Sequence, residues 1–316
     1  MHPWQPSASI HILQQRAKIL QEIRAFFSLR DIWEVETPLL SHTTVTDPFI
    51  QSFSVVHPYD SKPLYLQTSP EYAMKRLLAT GSGPIYQITK AFRQEESGRY
   101  HHPEFTMLEW YRPNYDHHQL MDEVDALLQC VLHSAAAKRM TYSELFQNYL
   151  QINPFFAKHD VFMHIAKKYK LNVQTPISDR DTWLQLLMSH CIEPQIGQEQ
   201  PFFIYDFPPS QAALAKIREK ETPPVASRFE VYFKGIELAN GFHELQNAEE
   251  QRMRFEKDNQ HRQKNSLPIV PIDEQLLAAL VHGLPDCSGV ALGLDRLMII
   301  ALQKKKLSEA MSFCDL

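Results

Sequence analysis

The sequence predicts an α+β protein, an antiparallel β-sheet flanked by helices. Three observations carry this expectation. Apolar residues recur at helical spacing near the N-terminus, two strand-like segments flank a polar loop as an antiparallel hairpin would, and a Gly-marked strand near the C-terminus turns directly into a helix. The 316 residues, 44% hydrophobic and 22% charged, can bury one large core or two modest ones. No linker or shift in composition divides them, so one domain over 1–316 is the economical reading.

From Ile10 to Leu29 the residues Leu13, Ala17, Leu20, Ile23 and Phe27 form one apolar stripe, with Ser9 placed as an N-cap. IWEVETPLL follows as a strand that should end, or lie at an edge, at Pro38, which has no N–H for a ladder. SPEYAMKRLLAT reads as a helix opened by Pro70 and Glu71 and stopped by Gly81 and Gly83. PIYQITKAF and FTMLEWYRP are strands joined by the long polar loop RQEESGRYHHP, and a loop of that size in a compact domain is usually functional. The stretch around 117–225 carries helical patterns and one strand, PFFIYDF, and reads as a mainly helical insertion. RFEVYFKGIELANGFHEL is strand-like with a turn at Lys234 and Gly235. AEEQRMRFEKDNQHRQK is a helix of mixed charge and hence a solvated face, and SGVALGLDRLMIIAL is a strand leading into a helix near Asp295.

Composition narrows the function. Lys and Arg total 32 against 37 Asp and Glu, and a net charge of −5 has the wrong sign for a bulk phosphate binder. Neither a secretory h-region nor an apolar run of membrane-spanning length is found, which predicts a cytoplasmic protein. Cys130, Cys191, Cys287 and Cys314 are far apart and form no C-x-x-C pair, so neither a zinc site nor a disulfide framework is expected.

Three segments concentrate charge among aromatic and Gly residues: FRQEESGRYHHPEFTMLEWY, FEVYFKGIELANGFHEL and GVALGLDRL. Each alone reads as a solvated sheet face. Together they supply both signs of charge. Glu230, Glu237 and Glu244 recur every seven residues, which alternates strand faces unless a turn at Gly235 or Gly241 re-registers them. Converging carboxylates suit Mg²⁺ or an ammonium group, whereas Arg93, Arg99 and Arg296 suit phosphates. This points to a nucleotide triphosphate and metal site held by side chains, since the chain has neither a P-loop nor a Rossmann fingerprint.

WEVETP resembles motif 1 of the class II aminoacyl-tRNA synthetases, FRQEESGRYHHPEFTMLEWY motif 2, and GVALGLDRL motif 3. The likeness to the lysyl branch extends through TSPEYAMKRLL and FEVYFKGIELANGFHEL. Within that branch the chain is most similar to paralogues that lack the OB-fold anticodon-binding domain and attach (R)-β-lysine to translation elongation factor P. The resemblance implies an antiparallel class II catalytic fold, a homodimer formed through motif 1, ATP as substrate and Mg²⁺ as cofactor. It also implies residue roles. Arg93 would hold the α-phosphate, with Glu95 near the adenine amino group, His101 near the outer phosphates, and Gln94 and His102 also at the ATP. Phe105 and Arg296 would sandwich adenine, while Leu238 and Gly293 line the ATP site. Glu230 and Glu237 match the metal ligands. Glu244 and Tyr111 would hold the substrate's ε-ammonium, with Glu71 and Glu109 near its other amino group, Asn240 and Phe242 lining the pocket, and Ser69, Pro70 and Ala291 also at the substrate. Arg93 and Arg296 are the catalytic pair. For Phe105 and Phe242 the alternative is plain core packing.

Two departures from the lysyl pattern stand out: Ala291 replaces the middle of three alternate glycines in motif 3, and His102 stands where Asn is usual. The competing readings are a free-standing enzyme that charges tRNA or another small acceptor, an amide synthetase related to asparagine synthetase, and a non-catalytic paralogue. Net charge and the absence of an OB-fold segment disfavour tRNA. Glu244 with Tyr111 suits a long ammonium side chain rather than an amide synthetase, and the retained Arg93, Glu230, Glu237 and Arg296 argue against a decayed site.

Overall fold

The computed structural model describes residues 4–56, 62–94, 98–173, 177 and 179–314. Packing divides the chain into two compact units, Met1–Tyr115 with Gln246–Leu316, and Asp116–Leu245.

The first unit opens with helix α1 (Ile10–Ser28), capped by Ser9, whose hydroxyl accepts the Ile12 N–H at 3.4 Å. Its Ile23, Phe26 and Phe27 are buried. Strand β1 covers only Trp33–Glu34, so the chain leaves the sheet well before Pro38. The apolar run beyond it supplies β2 (Leu40–Ser41), which joins β3 (Ser54–Val55) and β4 (Leu64–Leu66) in a separate three-stranded sheet that periodicity does not reveal. Helix α2 (Glu71–Ala79) follows, and Gly81 and Gly83 leave it with φ of 86° and 74°, where a side chain would be strained. Strands β5 (Ile85–Phe92) and β6 (Glu104–Pro113) pair antiparallel from Ile85 opposite Tyr111 to Phe92 opposite Glu104, as expected for the hairpin. β1 lies parallel to the start of β5.

The second unit begins with α3 (His117–Leu132), where Asp116 and Gln119 form a reciprocal capping box. Then come β7 (Lys138–Thr141), α4 (Tyr142–Leu150), α5 (His159–Lys168), α6 (Arg180–Leu187), β8 (Phe202–Phe207), β9 (Ile217–Arg218), β10 (Val225–Phe233) and β11 (Ile236–His243). The stretch read as helices and one strand therefore holds two further strands, β7 and β9. Both are short pieces with too few residues to show alternation. The sheet order is β11-β10-β8-β7, with β9 on β10, and its apolar side buries Leu145, Phe146, Trp183, Leu184 and Ile204.

The chain then returns to the first unit with α7 (Ala248–Lys264), α8 (Glu274–Gly283), β12 (Cys287–Gly293) and α9 (Leu294–Ala301). Only Gln251, Phe255 and Arg262 of α7 are buried, in keeping with a solvated charged helix. β12 runs antiparallel to β6, from Cys287 opposite Pro113 to Gly293 opposite Met107, giving the order β1-β5-β6-β12. Among the described residues no helix is long and apolar enough to cross a membrane. The four cysteines are free thiols.

Candidate active site

Strand alternation sorts the functional side chains of the first unit. Phe105, Met107, Glu109 and Tyr111 share one face of β6, and the residues opposite them on β12 are Gly293 for Met107, Ala291 for Glu109 and Gly289 for Tyr111. Nothing larger than a methyl group stands on that row of β12 beside the two polar side chains, Glu109 and Tyr111. Tyr111 donates its hydroxyl to Glu109 Oε1 at 2.6 Å, and both residues are buried. Gln87 lies opposite Glu109 on β5.

The loop after β5 continues the hairpin ladder through Arg93 N–H, which donates to the Pro103 carbonyl at 3.0 Å. The Arg93 guanidinium sits 5.1 Å from the centre of the Phe105 ring, and Gln94 donates through Nε2 to the Ser52 carbonyl at 2.9 Å. Glu95 lies outside the described residues. His101 Nε2 is 2.7 Å from Arg296 Nη2. Arginine offers only donors, so this His101 nitrogen is the acceptor. A Cβ at Gly293 would stand 3.4 Å from Arg296 Cδ, an ordinary contact, so the arginine lies along the strand end beside this glycine. His102 is buried with Nδ1 2.6 Å from the Glu104 carbonyl and 3.2 Å from the Glu104 N–H, and its Nε2 meets no hydrogen-bond partner among the described residues.

At the start of α2, Ser69 accepts the Glu71 N–H at 3.3 Å beside Pro70, and Glu71 Oε1 is 2.7 Å from Lys75 Nζ. Lys75 is 2% exposed, a buried ammonium one helical turn along from Glu71 that sequence reasoning missed. The i,i+4 spacing was the available signal.

In the second unit the seven-residue spacing resolves. Lys234 and Gly235, at φ of 54° and 72°, form the turn of the β10–β11 hairpin. A bulge then shifts the register, so that Tyr232 faces Glu237 while Val231 faces Ala239 and Glu230 faces Asn240. The extra residue brings Glu237 onto the face of Glu230, Asn240 and Phe242, and turns Leu238 and Ala239 into the core at 2% exposure. Leu238 thus has only backbone to offer a ligand. Phe242 is half-buried and packs on the unit's core, and Glu244 is buried past the end of β11, bridged to Ala215.

Glu230 is the best-supported carboxylate: Oε1 accepts from Arg228 at 2.5 Å and Oε2 from the Tyr232 hydroxyl at 2.8 Å. Burial, and then the neighbouring carboxylates led by Glu230, push the Tyr232 phenol up. Glu193, also missed from sequence, is raised by burial and by the Glu230 charge, with a Tyr232 hydrogen bond partly opposing this. Each Glu230 oxygen keeps a second lone pair, so Glu230 and Glu237 are suited to hold a hard divalent cation. Among the described residues no group of three or more His, Cys, Asp or Glu is placed to hold a metal ion.

A family model described as tRNA synthetases class II (D, K and N) matches residues 5–316. This chain belongs to the class II tRNA synthetase family. Within the family it is similar to curated proteins named Elongation factor P–(R)-beta-lysine ligase. One from Edwardsiella ictaluri (strain 93-146) is 55% identical over 318 residues, covering 99% of this chain and 98% of that protein. Another, from Vibrio cholerae serotype O1, is 56% identical over 315 residues, 98% of this chain and 97% of the relative. The class II membership accords with the three motifs and with the largely antiparallel sheets.

Proposed function

We propose that this class II family member activates (R)-β-lysine with ATP and transfers the acyl group to a lysine side chain of translation elongation factor P. The observation that carries the reading is identity of 55–56% over nearly the whole chain to ligases of that name. We further propose that residues 1–316 act as one catalytic domain, that the protein works as a cytoplasmic homodimer, and that tRNA is not its acceptor. A net charge of −5 favours a protein acceptor over a nucleic acid.

The substrate carboxylate is ionised at neutral pH and needs no general base. Its oxygen attacks the α-phosphorus of ATP, the bond to the bridging oxygen breaks, and pyrophosphate leaves. Arg93 is assigned to the α-phosphate, and Arg296 with His101 to the outer phosphates, as fixed donors where charge develops. Phe105 and Arg296 flank the adenine, with Gln94, Glu95, His102, Leu238 and Gly293 around it. When bound by Glu230 and Glu237, Mg²⁺ would neutralise phosphate charge. Glu109, Tyr111, Glu244, Asn240, Phe242 and the Ser69–Pro70–Glu71 turn are assigned to the amino acid. In the second step the acceptor amine attacks the mixed anhydride and AMP departs.

Ala291 is the assigned discriminator between β- and α-lysine. It stands directly opposite Glu109, so its methyl occupies space beside a carboxylate suited to an amino group. Ala291→Gly is expected to raise activation of α-lysine relative to β-lysine by about 10-fold or more. An unchanged ratio in ATP–pyrophosphate exchange would remove Ala291 from this role.

The direct test incubates the protein with ATP, Mg²⁺ and β- or α-lysine, with elongation factor P or tRNA, and follows acceptor mass and AMP release. β-Lysine-dependent mass gain on the protein is expected. Charging of tRNA alone would favour a lysyl-tRNA synthetase-like enzyme, and a monomer by light scattering at micromolar concentration would refute the homodimer.

A further inference from the structure

Arg228 on β10 has no role in the account above, yet its guanidinium touches three of the residues used there. Nη2 donates to Glu230 Oε1 at 2.5 Å, Nε to Asn240 Oδ1 at 3.3 Å, and Nη1 to the Gln211 carbonyl at 2.7 Å. The guanidinium carbon also lies 4.6 Å from the Phe207 ring centre and 6.0 Å from that of Phe242. These directions leave little freedom, since a planar fork with three separate acceptors can take few orientations.

The consequence falls on Asn240. A guanidinium carries donors only, so the Asn240 atom it meets must be the carbonyl oxygen, and the NH₂ end of the amide is the end left for a ligand. An NH₂ pair suits an anionic acceptor, and the one anionic group of the amino-acid substrate is its carboxylate. We propose that Arg228 is a positioning residue that holds the Asn240 amide with its NH₂ toward the substrate carboxylate, so that preference for an amino acid over the corresponding diamine depends on it. The proposal rests on the functional reading above and deepens it. Lysine at this position would keep the charge but lose the fork.

The test compares the KM for β-lysine in ATP–pyrophosphate exchange with the inhibition constant of the diamine that keeps both ammonium groups and lacks the carboxylate. In Arg228→Gln the KM is expected to rise roughly 10- to 100-fold, the size of a lost hydrogen bond to a charged group, while the diamine constant stays near wild type. Arg228→Lys should behave in the same way, and it serves as the readable variant if Arg228→Gln does not fold. Parallel rises in KM and in the diamine constant would mean that Arg228 merely supports the pocket walls, and would overturn the proposal. So would a wild-type KM in Arg228→Lys. Absence of β-lysine-dependent exchange in the wild-type protein would overturn the functional reading and this proposal with it, whereas the variant outcomes bear on Arg228 alone.

Discussion

Asp295→Ala is expected to destabilise the protein by about 3–5 kcal/mol, the range for breaking a buried ion pair from one side. Asp295 is 3% exposed at the first turn of α9. Its Oδ1 meets Arg16 Nη2 of α1 at 2.5 Å, and its Oδ2 accepts the Thr106 backbone N–H of β6 at 2.6 Å. Removing the carboxylate leaves a charged guanidinium with only weak contacts, to Thr106 Oγ1 at 3.4 Å and the Ala310 carbonyl at 3.5 Å, and a buried N–H with no acceptor. Asp295→Asn should recover only part of the loss, because an amide has one acceptor oxygen for two donors on opposite sides. The check is a thermal or urea unfolding series with a double-mutant cycle to Arg16→Met. A loss below about 0.5 kcal/mol for Asp295→Ala would show that the three elements are held together by other contacts.

This network also shows what could be read from the chain and what could not. Helix α1, the β5–β6 hairpin and the strand-to-helix turn at Gly293 were legible because their signals are local: a cap, an alternation, a glycine. β1 proved shorter than its β-branched residues suggest, since pairing with β5 and not propensity sets its end. The Arg16–Asp295 pair spans 279 positions, and no periodicity links its members. Glu230 and Glu237 illustrate the middle case. Their types were informative and their spacing misleading, because one bulged residue decides which face Glu237 occupies. Arg228, two positions before Glu230 on the same strand face, shared a legible spacing but no chemistry that marked it until its hydrogen bonds were seen.

Arg296→Ala is expected to lower kcat/KM for ATP by roughly 10²–10³, the usual effect of removing one preorganised donor from developing charge. The side chain is held by two protein contacts. Its Nη2 contacts His101 Nε2 at 2.7 Å and its Nε donates to the Tyr100 carbonyl at 3.3 Å, so the guanidinium is anchored on the described end of the loop after β5. In the role proposed for it, a donor fixed in this way would not have to reorganise as pyrophosphate leaves, which would be its advantage over water. Two tests separate charge from shape. Arg296→Lys restores the charge but neither the planar face for adenine nor the fork, so it should recover only a small part of the loss. Gly293→Ala places a methyl at an ordinary contact distance of 3.4 Å from the arginine's Cδ, so it should leave ATP binding and the KM for the amino acid close to wild type and serves as the control. If Arg296→Ala costs less than about 10-fold in ATP–pyrophosphate exchange, the arginine is a scaffold for His101 and the loop, and phosphate charge would be met by Arg93 and by the Mg²⁺ that Glu230 and Glu237 are proposed to hold.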